Sequence, residues 1–267
     1  MARLAGKVAV VTGAGSIGNG WGNGKACAVV YAREGAQVVL VDRNEEVVAQ
    51  TSDFIEQEGG SAISVVVDVS TELGVETYVE AALRHYGTID ILHNNVGIGI
   101  PRNFVEITES EWDLIYRVNL KSVFLGCRQV LPIMRSRGGG SIINISSIAS
   151  HRWTGTSLAA YASSKAAINQ LTQAIAIEYA KERIRCNAVV LGFIDTPTVF
   201  AGLSAGATEA ERQLLAAQRD AACPMGRMGT VWEVASACVF LASDEASYVT
   251  GTELVVDGGL SATVPAG

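Results

Sequence analysis

The sequence predicts a single α/β domain built on a doubly wound parallel sheet flanked by helices. Three observations carry that prediction. Short β-branched runs alternate with longer helical patterns along the 267 residues. The first run, Val8 to Val11, opens directly into a turn rich in glycine (Gly13, Gly15, Gly18, Gly20, Gly22, Gly24). The second run, Val38 to Val41, ends on an acid, Asp42, 20 residues after Gly22.

Taken in order, each element has a local reason. Glycines after the first strand free the backbone to approach a pyrophosphate, and the helix that follows, Lys25 to Glu34, aims its N-terminal amides at the anion. A carboxylate at the position of Asp42 hydrogen-bonds ribose hydroxyls and repels a 2′-phosphate, which points to NAD rather than NADP, while Arg43 beside it is the one feature that could pair with a phosphate. Asp42 also reads as a helix N-cap. A helix over Glu45 to Glu58, a strand over Ala62 to Val67 ending at Asp68, and a helix over Leu73 to His85 continue the alternation. Ile89 to His93 is a fourth strand, followed by Asn94, Asn95, Val96 and Gly97 at a carboxyl end where ligands bind. Glu109 to Met134 reads as one long helix with Asn119 inside it, and propensity alone puts that Asn on the surface. Ile142 to Ile145 is a short buried strand, Arg185 to Leu191 a sixth strand, Val231 to Ala242 a helix, and Glu253 to Val256 the last strand. The irregular stretch 193–227, with a helical run from Thr208 to Ala222, reads as a lid over the substrate.

Composition limits the function. Hydrophobic residues make up 49% and charged residues 18%, enough apolar material to cover a sheet on both faces. A net charge of −7 argues against a nucleic-acid surface and for a small-molecule partner. No apolar run approaches the roughly 20 residues that cross a bilayer, so no membrane is expected and a cytoplasmic location is. The five cysteines lack any CxxC pair and read as buried free thiols. The three histidines lack ligand spacing, so no metal is expected.

The chemistry centres on Tyr161 and Lys165. If Thr156 or Ser157 caps a helix running through Ile168, Leu171 and Ile175, the two side chains lie four residues apart on one face. An ammonium held near a phenol favours the phenolate and makes a usable proton acceptor. Ser146 and Ser147 stand just upstream at a strand end, where a hydroxyl can hold a substrate oxygen.

Glycine turn, acidic strand end, the NNVG turn, Asn119, the serine strand end and the YASSK run occur together and in order. With Pro224–Arg227 and the closing VTG and DGG runs, the whole chain resembles the short-chain dehydrogenase/reductase family. The resemblance implies a Rossmann-like sheet, a nicotinamide cofactor, and interconversion of alcohols and ketones. It assigns proton transfer to Tyr161, lowering of its pKa and ribose binding to Lys165, the substrate oxygen to Ser147, and to Asn119 a helix kink and a water that links Lys165 to solvent. It gives Asn94, Asn95, Val96 and Gly97 to the adenosine side, Asp68 and Val69 to the adenine, and Ile194 and Thr196 to the nicotinamide amide. It also implies a homotetramer using the helices around Cys127 and Ile175 and the final strand.

The glycine turn is about five residues longer than the family pattern. Gly22 and Gly24 align with its final pair, Gly18 and Gly20 being the competing choice, and Trp21 in the insertion is either a core anchor or a wall of the site. Ser147 lies 14 residues before Tyr161, about one more than usual, and Leu191 with Gly192 replaces the usual Pro-Gly. The apolar candidates Ile98, Ile100, Trp153, Phe193, Val199, Phe200 and Leu203 suggest a hydrophobic secondary alcohol or ketone. Arg102 or Arg152 is the alternative, as a reader of a carboxylate. A second reading is an NADPH-dependent reductase of carrier-bound 3-oxoacyl groups, with Arg128, Arg135 and Arg137 as a docking patch. A third is a binding protein without catalysis.

Overall fold

The computed structural model describes residues 2–18, 20–197 and 208–263. Asn19, Val199, Phe200 and Leu203 lie outside the described residues, as does the middle of the expected lid. Seven strands form one sheet: β1 (Val8–Thr12), β2 (Gln37–Asp42), β3 (Ser61–Val66), β4 (Ile91–Asn94), β5 (Gly140–Ser147), β6 (Ile184–Leu191) and β7 (Glu253–Val256). Their order is β3-β2-β1-β4-β5-β6-β7, every pairing parallel. Among the described residues the α-helices are α1 (Asn23–Arg33), α2 (Glu45–Gln57), α3 (Glu72–Tyr86), α4 (Glu109–Tyr116), α5 (Ser122–Arg137), α6 (Ala159–Tyr179), α7 (Glu209–Ala222) and α8 (Val231–Ala242).

Both faces of the sheet are covered, which is why β1 reads as an unbroken apolar run and buries all five residues. One apolar layer joins the sheet to α1, α2 and α8 through Cys27, Val29, Ile55 and Val234. The other joins it to α3, α5 and α6 through Tyr78, Val130, Met134 and Ile168. A fully buried Val or Leu in such a layer contributes about 1.5–3 kcal/mol. Chain direction around the sheet reverses at β1, whose neighbours are β2 and β4, with Thr12 in register with Asn94. That reversal leaves a crevice beyond the carboxyl ends of β1 and β4, with the glycine turn on one side and Asn95 to Gly97 on the other.

Tertiary contacts move several boundaries. β5 runs on to Ser147 because Ser146 and Ser147 pair with Val190 and Leu191. The long helix expected over 109–134 is α4 and α5 separated by a π-turn, Arg117–Lys121. Neither Thr156 nor Ser157 caps α6. Its N-cap is Leu158 without a side-chain bond, because the Ser157 carbonyl is taken by the amide of Arg102. The N-cap of α2 is Asn44, whose Oδ1 accepts from the Val47 amide, and Asp42 supports it by accepting from the Asn44 amide.

Trp21 takes the core-anchor side of its two readings. It packs edge-on to Phe54 at 5.0 Å and against Trp232 at 4.7 Å, tying the long glycine turn to α2 and α8. All five cysteines are buried free thiols. No helix among the described residues is long and apolar enough to cross a membrane.

Candidate active site

The carboxyl end of the sheet gathers the chemically active side chains. Ser147 ends β5, where its hydroxyl accepts from the Ala149 amide at 3.2 Å, and it lies near enough to Tyr161, in the first turn of α6, to pull the phenol down. Ser146 turns the other way and donates to the Lys165 carbonyl at 3.4 Å, buried among core atoms. Alternation along a strand thus decides between the two serines.

Lys165 is 3% exposed, and its Nζ donates to the Ile145 carbonyl at 2.8 Å, 5.7 Å from the centroid of the Tyr161 ring. Burial lowers the Lys165 ammonium to about 8. For Tyr161 burial dominates and raises the phenol above its ordinary value, with the Ser147 hydroxyl pulling it back. Burial thus works against the lowering expected from the neighbouring ammonium.

The Lys165 shift has a sign that can be tested. Its folded pKa lies below the unfolded one, so the unfolded chain binds more protons from about pH 8 to about pH 10.5 and stability rises with pH across that window. Below about pH 8 the penalty for the buried ammonium is fully present. Lys165→Met should remove a gain of up to about 3 kcal/mol between pH 7 and 10, at 1.36 kcal/mol per pKa unit. Denaturant midpoints of both proteins across that range check it, and identical slopes would contradict it.

Asn119 is fully buried in the π-turn, against the surface position that propensity suggests. Its Oδ1 accepts from the Ile98 amide at 2.8 Å, and its Nδ2 donates to the Ile98 carbonyl and to Ser164 Oγ, both at 3.0 Å. The widened turn gives the side chain room to reach the Ile98 backbone, which a regular helix would not. Ser164 in turn donates to the Tyr161 carbonyl at 2.7 Å.

The glycine turn packs on itself. A Cβ on Gly24 would stand 1.9 Å from the Gly13 carbonyl oxygen, and Gly13 has φ +66°. Gly22 is the N-cap of α1 and gives it no side-chain acceptor, so the first amides of the helix face the crevice side of the turn without a capping partner. Gly18 and Gly20 come earlier in the loop, at positive φ. Ser16 Oγ, in the same turn, is buried with no hydrogen-bond partner. Asp42 Oδ2 accepts from the Gly15 amide at 3.1 Å. An orphaned hydroxyl, uncapped amides and a carboxylate at the strand end are a donor and acceptor set that fits a dinucleotide.

The remaining predicted residues divide. Gly97 lies against Lys165, with 3.0 Å from its would-be Cβ to Nζ. Asn95 Nδ2 donates to the Gly13 carbonyl, whereas Asn94 turns into the core and donates to Asn144 Oδ1. Asp68 is exposed and accepts from the Ser70 amide, and Val69 is buried behind it. Ile194 and Thr196 are buried after β6, Ile194 within the α8-side core. Phe193 carries the Arg219 guanidinium of α7 at 4.7 Å over its ring. Ile98 and Ile100 are half-buried, but Trp153 is 71% exposed.

The two arginines weighed for a carboxylate have other partners: Arg102 pairs with Glu111 at 3.2 Å, and Arg152 donates to the Leu260 and Thr263 carbonyls. Of the proposed docking patch, Arg128 pairs with Glu72 and Arg135 with Glu182. Residues missed in the sequence are Ser164, Gly99 and the Ile98 and Ile145 carbonyls. Ser164 sits inside the YASSK run and was the one within reach. Gly99 faces the Tyr161 ring, with 3.4 Å from its would-be Cβ to the ring edge, and carries no local signal.

A family described as enoyl-(acyl carrier protein) reductase matches residues 17–261. The 3-oxoacyl-(acyl-carrier-protein) reductase FabG of Thermotoga maritima is 38% identical over 97% of this chain and 99% of its own. The chain belongs to the short-chain dehydrogenase/reductase family. Among solved structures, a short-chain dehydrogenase/reductase from Burkholderia xenovorans superposes with a TM-score of 0.91, at 44% identity, covering 99% of this chain and 100% of that one. A gluconate 5-dehydrogenase of Burkholderia cenocepacia, solved with NADP and tartrate, gives a TM-score of 0.86 at 34% identity, covering 98% of both chains. As a short-chain dehydrogenase/reductase the chain is an oxidoreductase of a family that uses nicotinamide cofactors.

Proposed function

We propose that the protein is an NAD-dependent oxidoreductase that interconverts a secondary alcohol and a ketone. The meeting of the Ser147 and Tyr161 hydroxyls at the carboxyl end of the sheet, backed by Lys165, carries this reading. A substrate oxygen received between the two hydroxyls is held by Ser147 and exchanges its proton with Tyr161 Oη. Lys165, anchored on the Ile145 carbonyl, keeps a positive charge near the phenol below about pH 8 and favours its ionised form when a proton is to be accepted. Asn119 holds the Ile98 backbone and, through Ser164, the turn bearing Tyr161. The nicotinamide, when bound, supplies the hydride acceptor or donor. Gly13, Gly15, Gly22, Gly24, Asp42, Asp68, Val69, Asn95, Gly97, Ile194 and Thr196 line its place, with Tyr161 and Lys165 at the reacting end.

A hydrophobic alcohol or ketone suits the apolar faces of Ile98, Ile100 and Phe193, and 193–227 serves as a lid with α7 resting on Phe193. The half-exposed Phe124 and the exposed Ile177 on α5 and α6, with Val255 on β7, suit a homotetramer. The place of action is the cytoplasm. Nicotinamide absorbance with NAD and NADP in parallel, over a panel of apolar secondary alcohols and ketones, tests the activity. Dinucleotide binding without turnover on any of them would favour the non-catalytic reading.

The second reading, an NADPH-dependent 3-oxoacyl-carrier reductase, draws support from the likeness to FabG and from the NADP in the gluconate 5-dehydrogenase structure. The Asp42 carboxylate and the paired Arg128 and Arg135 weigh against it. Asp42→Ala separates the two. It frees the Gly15 amide whichever dinucleotide binds, so the ratio of specificities isolates the effect at the ribose. That ratio should move toward NADP by about tenfold or more, equivalent to about 1.4 kcal/mol. An unchanged ratio would refute the role given to Asp42.

A further inference from the structure

Away from the crevice, three donor atoms meet in the core between α1, β4 and α8. Cys27 Sγ, Cys238 Sγ and a ring nitrogen of His93 all lie within 4.8 Å of one another, and each residue is fully buried. His93 is fixed in orientation. Its Nδ1 is hydrogen-bonded to the Tyr31 hydroxyl at 2.9 Å, and the two rings meet edge to face at 5.7 Å. Tyr31 lies one helical turn after Cys27 on α1, so one helix face supplies both the thiol and the group that steadies the imidazole. The other ring nitrogen, Nε2, is buried with no hydrogen-bond partner. A polar nitrogen with no partner in a dry core is destabilising unless something else fills the position.

We propose that Cys27, His93 and Cys238 bind one zinc ion, at a site separate from the hydride-transfer chemistry. Two thiolates and a neutral imidazole are a soft N/S donor set of the kind zinc takes. Two thiolates also cancel the charge of Zn²⁺, so the ion can be buried without an uncompensated charge. Bond lengths of about 2.3 Å to sulfur and 2.0–2.1 Å to nitrogen, at tetrahedral angles, put the donors roughly 3.5–3.8 Å apart. Side-chain adjustments of about 1 Å gather the three donors to those separations, and one further small ligand completes the tetrahedron. The metal takes Nε2, Nδ1–H donates to Tyr31 Oη, and the two thiol protons leave to solvent. The ion then ties α1, the helix that carries the glycine turn, to the sheet and to α8. Sequence spacing hides the site: Cys27 and His93 are 66 residues apart, and His93 and Cys238 are 145 apart. Spacing along the chain is silent on a ligand set assembled by the fold.

Elemental analysis of the full chain, produced in zinc-supplemented medium and desalted, tests the proposal. The wild type should carry about one zinc per chain, with less than about a tenth of that in Cys27→Ala and in Cys238→Ala. Cys223→Ala, a buried thiol outside the cluster, should keep it. Cobalt in place of zinc should give a thiolate-to-metal charge-transfer band that both variants lose. The wild type decides the matter even if the variants fold poorly. No zinc with all five thiols reactive after denaturation overturns the proposal, and so does a count of three thiols, which signals a Cys27–Cys238 disulfide. Zinc retained by both variants places it elsewhere and overturns the proposal as well.

Discussion

Tyr161→Phe should lower kcat/KM by about 10²–10⁴, the usual worth of a positioned acid or base. That is about 3–5 kcal/mol of transition-state stabilisation at 1.36 kcal/mol per tenfold. The substitution keeps the ring against Gly99 and removes only the oxygen that meets Ser147. Dinucleotide affinity should therefore stay within about twofold, since such a change is well under 1 kcal/mol. Steady-state kinetics beside a binding titration measure both quantities. Wild-type turnover in the variant would remove Tyr161 from the proton-transfer role.

Among the glycines of the described residues, Gly24→Ala should be the most damaging. Its Cβ would lie 1.9 Å from the Gly13 carbonyl oxygen and 2.6 Å from Asn95 Nδ2, separations no real Cβ sustains. Helix α1 must back away from the turn, and the packing of Cys27, Val29 and Tyr31 moves with it. Overpacking of this kind costs about 3 kcal/mol or more. In a chain of this size that lowers Tm by about 6–12 °C. Gly18→Ala is the comparison. Nothing lies within 4 Å of its would-be Cβ, so its cost is limited to positive φ, about 1–2 kcal/mol. Thermal melts of the two variants check the pair, and equal melting temperatures would show that α1 does not depend on that contact.

The sequence was most informative where cause and effect are local. The β-branched runs located every strand of the sheet, and the apolar run Val231 to Ala242 located α8. Tyr161 and Lys165 were legible because both sit on one helix, and Ser147 because a strand end is a recurrent place for a reactive hydroxyl. What stayed hidden depended on partners far along the chain. Asn119 looked misplaced until Ile98, 21 residues away, supplied both a donor and an acceptor. Arg102 and Arg152 looked available for a substrate because Glu111 and the Leu260 and Thr263 carbonyls are brought to them by tertiary structure. The burial that raises the Tyr161 phenol was hidden for a similar reason, since spacing reports proximity to an ammonium and says nothing of how dry the site is.

The π-turn at Arg117–Lys121 has a consequence for how the gene can change. Such a turn holds one residue more than a regular turn of helix. Deleting one of those residues restores a continuous helix whose downstream half keeps nearly its present phase, because five residues of a π-turn sweep roughly the angle that four residues of regular helix do. Val123, Cys127, Val130 and Met134 would stay against the sheet. The surplus residue therefore gives Asn119 its reach without disturbing the phase of a core helix. A codon lost there would unseat the asparagine and spare the hydrophobic layer.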